Sequence, residues 1–548
     1  MATSTRHEAQ RRAPAHSAAD AIFATLRSWG VDRVFICPGS TEAAFLDASL
    51  EHPDVELVLT THEAVTVSMA DGYARLTGRP AVAYLHTHLG LSNGLAHLSA
   101  AALGHSPVVV VTGLKATSLH GAEPGFTTTS DVRALPRQFV KWAHESASGD
   151  AIAGDLDHAL RVATSAPAGP VFLGIAQDRM EAGGAAPLAP PRPDVALAPA
   201  RPAPGAVARA AELIARSRRP LVVAGAEAFR AGAVDALGTL ARAAGAPVVV
   251  EDRRTIERAE PFGLDGYAGV LDGATDAARR ADLVVLAGAR TPIRFEHTAP
   301  PVLAPGAPVI RLDGATQALQ DLAAALDGPA PEALAFRDDA VQTHRARTEQ
   351  LRRDADDRAG AVPIQVPALM RRLCAALAPG TWLVDDSVTS QAALLDHALA
   401  HDANLRYLST ASGSLGWAMG AALGAAEARP GERVVAVLGD GVFQFGIPAL
   451  WTAVDRGLAV TFVVVNNGGY GAVKAALRRF DGMAVARGDY PATALPRADL
   501  AAIARGFGAT GVRIERLDEL EGALAAAETA HDLAVVEVFT DPDDSGPR

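Results

Sequence analysis

Two cysteines in 548 residues, Cys37 and Cys374, are too few for a disulfide framework and fit a reducing cytoplasm. No Cys/His cluster has the spacing of a zinc site. No apolar run approaches the roughly 20 residues that a membrane-crossing helix needs, so no membrane partner is expected. Basic charge is scarce as well. Fifty Lys and Arg against 62 Asp and Glu leave a net charge of −12, which argues against nucleic acid as a partner. Residues 1–16 contain Arg and Ala but no hydrophobic core of a signal peptide, and read as a disordered lead-in. No repeat with a period of 20–50 residues is visible, which excludes a solenoid. These absences leave a cytoplasmic α/β protein too long for one core.

From Ser17 onward, short apolar runs alternate with Ala-rich helical stretches, the pattern of doubly wound parallel sheets. Strands are predicted at Val34–Cys37, Val55–Leu59, Ala81–Leu85, Val108–Val111 and Val171–Ile175. A second set is Leu221–Ala224, Val248–Val250, Leu283–Ala287 and Val309–Leu312. A third is Trp382–Val384, Leu405–Leu408, Val434–Leu438, Val460–Val465 and Ala534–Phe539. The expected organisation is three α/β domains, residues 17–184, 205–345 and 364–548, with linkers at 185–204 and 346–363.

The most informative stretch is Val434–Gly471. Its first strand stops at Gly439-Asp440-Gly441 and its second at Asn466-Asn467-Gly468. Asp440 and Asn467 thus stand at the C-terminal ends of two parallel strands, where ligands bind in open α/β sheets. A carboxylate and an amide oxygen among glycines suit a hard divalent cation that holds a diphosphate. Either motif alone is an ordinary strand-end turn. Both, closing the two strands of one βαβ unit, make a site.

Three segments of the first domain also follow strands. Cys37-Pro38-Gly39-Ser40 puts the Ser40 hydroxyl at a sheet edge, as a helix N-cap, a substrate contact, or both. Glu63, in Thr61-His62-Glu63-Ala64, opens a small-residue helix. It suits proton exchange with a ligand nitrogen, or is a first-turn acid favoured by the helix dipole. His86, in Leu85-His86-Thr87-His88-Leu89-Gly90, can relay protons near neutral pH or serve as a hydrogen-bonded structural residue.

Together, Gly439-Asp440-Gly441, Asn466-Asn467 and Glu63 ahead of Asp71-Gly72-Tyr73-Ala74-Arg75 resemble the thiamine-diphosphate-dependent 2-oxo-acid decarboxylase and acetolactate synthase superfamily. The resemblance runs from Ser17 to about Thr540. Within the superfamily it is greatest to benzoylformate decarboxylases. Cys37–Ser40, Leu85-His86 with Gly90 and Asn93, Leu135-Pro136-Arg137, Ala449-Leu450-Trp451 and Tyr470-Gly471-Ala472 carry it.

The resemblance implies pyrimidine, central and diphosphate domains in a homodimer or homotetramer, with active sites between subunits. It implies Mg²⁺ on Asp440, the Asn467 side chain and the Gly469 carbonyl, against bound thiamine diphosphate. Glu63 would bond the aminopyrimidine ring. Gly413 and Leu415 would meet the 4′-amino group and the bend of the cofactor, with Ser387, Thr389, Gly441 and Tyr470 as further cofactor contacts. Ser40 would bind the substrate carboxylate and His86 would move protons, with His297 as the second histidine.

The reaction so implied is non-oxidative decarboxylation of a benzoylformate-like 2-oxo acid to an aldehyde and CO₂. The alternatives are a carboligase of the acetolactate synthase type and a non-catalytic regulatory subunit. Two departures bear on the substrate. Val473-Lys474-Ala475-Ala476 stands where benzoylformate decarboxylases carry bulky aromatics, and Phe126-Thr127 replaces a pair of leucines. A larger pocket is expected. The central domain shows no G-x-G-x-x-G after a strand, which speaks against FAD.

Overall fold

Runs of Val, Ile, Leu and Ala form strands buried on both faces, as parallel sheets covered by helices require. The computed structural model describes residues 17–120, 125–182, 201–251, 257–258, 264–271, 275–290, 302–312, 316–399, 405–495, 498–529 and 532–543. The chain forms two units, residues 1–194 and 195–548.

The first unit contains β1 (Arg33–Cys37), β2 (Glu56–Leu59), β3 (Ala81–His86), β4 (Val108–Leu114), β5 (Ala143–Glu145) and β6 (Val171–Ala176). They form one parallel sheet in the order β2-β1-β3-β4-β6-β5. The second unit contains two sheets. β7 (Pro220–Ala224), β8 (Val248–Val250), β9 (Glu257–Arg258), β10 (Tyr267–Val270), β11 (Leu283–Ala287) and β12 (Val309–Leu312) come first in the chain. All but β9 form a parallel sheet, β10-β8-β7-β11-β12. β13 (Trp382–Asp386), β14 (Arg406–Ser409), β15 (Val434–Gly439), β16 (Val460–Asn466), β17 (Thr510–Ile514) and β18 (Ala534–Phe539) build the other, β17-β18-β16-β15-β13-β14-β9. There β9 pairs antiparallel with β14. The chain thus adopts the three parallel-sheet α/β layers expected from its sequence. Residues 346–357, expected to begin a linker, are the second half of the helix Pro331–Asp357.

β1, β7 and β13 each have later strands on both sides, so every sheet has a crevice where its winding reverses. The central crevice, between β7 and β11, is filled by the chain itself. A Cβ on Gly225 would lie 2.1 Å from the Gly288 carbonyl oxygen. The buried Glu251 carboxylate accepts from the N–H groups of Ala226 (2.5 Å) and Arg290 (3.0 Å). Each of the other two crevices, one in each unit, carries candidate site residues. Among the described residues, no helix is long and apolar enough to cross a membrane. Both cysteines are free.

Candidate active site

β15 ends at Gly439, and Asp440 opens the helix Asp440–Gly446 with only 5% of its surface exposed. Its Oδ1 accepts from the Gly441 N–H at 2.8 Å, while Oδ2 is buried without a hydrogen-bond partner among the described residues. Burial pushes the carboxyl up to about 6, against the pull of the Gly441, Gly469 and Gly468 backbone N–H groups. An ionised oxygen in that position is costly unless a cation meets it. The donor set around it fits Mg²⁺: a carboxylate, an amide oxygen and a nearby backbone carbonyl, all hard oxygen ligands.

The two asparagines at the end of β16 divide their work. Asn467 Oδ1 accepts from the Gly469 N–H at 3.2 Å and its side chain lines the crevice. Gly469 must be glycine, because a Cβ there would lie 2.2 Å from the Thr493 carbonyl oxygen. Asn466 turns into the core, where its Nδ2 donates to Glu537 Oε1 at 2.6 Å. Glu537 is fully buried, and its other oxygen accepts from the Ala501 N–H at 3.2 Å. Asn466→Ala should therefore destabilise the metal-free protein by about 1–3 kcal/mol. Asn467→Ala should leave the melting temperature of the metal-free protein nearly unchanged. Thermal unfolding of the two variants tests this split.

The facing wall comes from the end of β13. The Ser387 N–H and hydroxyl both donate to Asp385 Oδ1, at 2.8 and 2.6 Å. Val388 follows with φ +52°, a left-handed conformation that β-branched residues avoid. Thr389 reaches toward Gly471, where a Cβ would be 3.3 Å from the Thr389 Oγ1. These walls border an open cavity of about 140 Å³, lined by Thr389, Leu415, Asp440, Gly441, Asn467 and Tyr470, among others. Tyr470 packs so closely that a Cβ on Gly441 would lie 2.8 Å from its ring. The structure thus gathers Ser387, Thr389, Leu415, Asp440, Gly441, Asn467, Gly469 and Tyr470 at one crevice. Gly413 sits on the same loop as Leu415, is exposed, and lies outside that lining.

In the first unit, β1 and β3 deliver the second group. Ser40 is exposed and begins the short 3₁₀ turn Ser40–Glu42 rather than capping it. A Cβ on Gly39 would fall 2.4 Å from the His86 ring, so Gly39 makes room for the imidazole. Glu42, which sequence reasoning missed, lies fully buried beneath His86. It accepts from the Gly39 N–H (2.7 Å) and the Thr41 hydroxyl (2.6 Å), and its Oε2 is 3.0 Å from His86 Nδ1. A carboxylate only accepts, so Nδ1 carries the proton and Nε2 is left for a ligand. The next residue, Thr87, takes φ +52°, so β-branched strain marks this strand end as well.

Glu63 begins the helix Glu63–Thr77, as expected. Its Oε2 accepts from Asn93 Nδ2 at 3.0 Å, and a Cβ on Gly90 would lie 3.0 Å from its Oε1. Burial and then the Glu63 charge push the nearby Cys37 thiol up to about 11, which keeps it neutral. His297 falls outside the described residues.

Three family descriptions match the chain in order. They are the thiamine pyrophosphate enzyme N-terminal TPP binding domain over residues 16–135, the central domain over 207–335 and the C-terminal TPP binding domain over 388–538. The sequence is 32% identical to a benzoylformate decarboxylase of Pseudomonas aeruginosa, covering 95% of this chain and 98% of that protein. It is 27% identical to an acetolactate synthase of Mycobacterium bovis, over 94% and 87% of the two chains. The crystal structure of benzoylformate decarboxylase from Polynucleobacter necessarius superposes with a TM-score of 0.80 over 96% of this chain and 99% of that one. At 24% identity, that likeness is one of fold. A cation-ready crevice at the end of β15, a carboxylate at the head of the helix after β2 and these matches converge: the chain belongs to the thiamine-diphosphate-dependent decarboxylase and acetolactate synthase superfamily.

Proposed function

We propose that this protein binds thiamine diphosphate and Mg²⁺ and decarboxylates a benzoylformate-like 2-oxo acid to an aldehyde and CO₂, as a cytoplasmic homodimer or homotetramer. The buried, unpartnered Oδ2 of Asp440, facing the Ser387–Thr389 turn across a sheet crevice, is the observation that supports this most. In this proposal Asp440, the Asn467 amide oxygen and the Gly469 carbonyl hold the cation. Ser387, Thr389, Gly441 and Tyr470 enclose the diphosphate, Leu415 supports the bend of the cofactor, and Gly413 meets its amino group. When bound, thiamine diphosphate supplies the electron sink that decarboxylation needs.

The remaining work falls to side chains of this chain. Glu63, steadied by Asn93, would hold a proton and exchange it with a ligand ring nitrogen. Ser40 offers its hydroxyl to the substrate carboxylate. His86, with Nδ1 fixed by Glu42, gives and takes protons through Nε2. His297 is retained as the second histidine. His86→Ala should lower kcat by about 100-fold while thiamine diphosphate affinity stays within a few-fold. Equal losses in both would mean a structural role.

A carboligase is the second candidate, favoured by the helix Gly471–Phe480, which carries small Ala475 and Ala476 and has no buried residue. That leaves room for a second carbonyl compound. Products formed from benzoylformate, pyruvate and branched 2-oxo acids separate the two. Free aldehyde supports the decarboxylase, whereas hydroxyketone or acetolactate without free aldehyde establishes the carboligase.

A further inference from the structure

The turn that carries Ser387 and Thr389 into the crevice is built against its own conformational preference. Val388, between them, is β-branched, takes φ +52° and is 44% exposed, so no packing of its side chain accounts for the left-handed backbone. Such a conformation is disfavoured for a β-branched residue and persists only where neighbours over-determine it. The neighbour that does so is Asp385, at the end of β13 and fully buried. Its Oδ1 takes both the N–H and the hydroxyl of Ser387, two residues on, closing an Asx-type turn. Its Oδ2 takes the hydroxyl of Tyr407, itself fully buried on the adjacent strand β14, and the Gln391 side chain adds a further bond. Ser387 also closes the turn from its other end, since its carbonyl accepts from the Ser390 N–H at 3.0 Å. These bonds fix the turn from within and from Asp385 behind it.

We propose that Asp385, braced by Tyr407, is a positioning residue for the diphosphate half of the cofactor, holding the Ser387–Thr389 turn and its left-handed Val388 in the shape that lines the crevice. Asp385 never touches the ligand. It determines which way Ser387 and Thr389 face, and its burial beneath the turn makes that arrangement present before any ligand arrives. The proposal rests on the crevice being the diphosphate site.

The test is calorimetric titration of the metal-loaded, cofactor-free protein with thiamine diphosphate, alongside the melting temperature of each cofactor-free variant. Asp385→Asn keeps the shape but replaces one acceptor oxygen by a donor, and should weaken affinity by about tenfold or more. Tyr407→Phe removes only the rear brace and should weaken it by a smaller factor. It also serves as the readable variant if Asp385→Asn does not fold. The decisive arm is the double variant Asp385→Asn/Val388→Gly. Glycine adopts positive φ without steric cost, so affinity should recover at least about threefold over Asp385→Asn alone.

A purely structural role predicts a lower melting temperature with unchanged affinity, or an affinity loss that Val388→Gly does not repair. Either result overturns the proposal, as does Tyr407→Phe binding like the wild type where it is the only foldable variant. Asp440→Ala separates the two levels. If it leaves affinity intact, the crevice is not the diphosphate site. If it abolishes affinity while Asp385→Asn binds normally, only the positioning role falls.

Discussion

Asp440→Ala is expected to weaken Mg²⁺-dependent thiamine diphosphate binding by more than about 100-fold and to remove turnover with it. Losing a partner behind a metal ligand typically costs 10–100-fold in metal affinity, and losing the ligand itself should cost at least as much. The same substitution should not harm the metal-free fold. It deletes a 5%-exposed carboxylate with one oxygen unpaired, so the cofactor-free protein should melt at the wild-type temperature or above it. Asp440→Asn retains an oxygen but not the charge and should fall between the two. Calorimetry with and without Mg²⁺ reads the affinity, and a melt without either ligand reads the fold. A lower melting temperature with unchanged Mg²⁺-dependent affinity would make Asp440 a structural acid.

Glu63→Gln should have the opposite signature. Glu63 stands at the head of its helix with one oxygen on Asn93 and the other beside Gly90, so its surroundings tolerate an amide of the same shape. What the amide lacks is an ionisable carboxyl that can give up and take back a proton. Turnover should drop by about 10²–10⁴-fold, the usual worth of a positioned acid or base, while thiamine diphosphate affinity changes by only a few-fold. A non-catalytic regulatory subunit would show no change in either quantity.

The parts of the site differ in how legible they are in the sequence. Strands at the middle of each sheet are written as apolar runs, because both their faces are covered, and these carry Asp440 and Asn467 to their places. The described strands that periodicity did not reveal are β5, β9, β10 and β17, and each lies at a sheet edge. An edge strand needs only partial burial, as in Thr510–Ile514, where only Ile514 is fully covered, so its pattern is weak. Within the site, residues at strand ends beside glycines were readable, since glycine marks close approach. Glu42 was not. It follows a recognisable Pro-Gly-Ser turn, yet nothing in Ser40-Thr41-Glu42 announces that the acid folds back under a histidine 44 residues away. The same holds for Asn466 and Asn467, identical in sequence but opposite in direction. Only the alternation along β16 separates them, with Asn466 still in the strand and Asn467 past its end.

In the proposed function both crevices serve thiamine-diphosphate-dependent decarboxylation. Its most direct test is CO₂ release from benzoylformate and other 2-oxo acids by the cofactor-stripped protein, before and after thiamine diphosphate and Mg²⁺ are added together. Release that begins only on that addition, with an aldehyde formed in equal amount, is the predicted result. CO₂ release from no 2-oxo acid, or release indifferent to the added cofactor and metal, would contradict it.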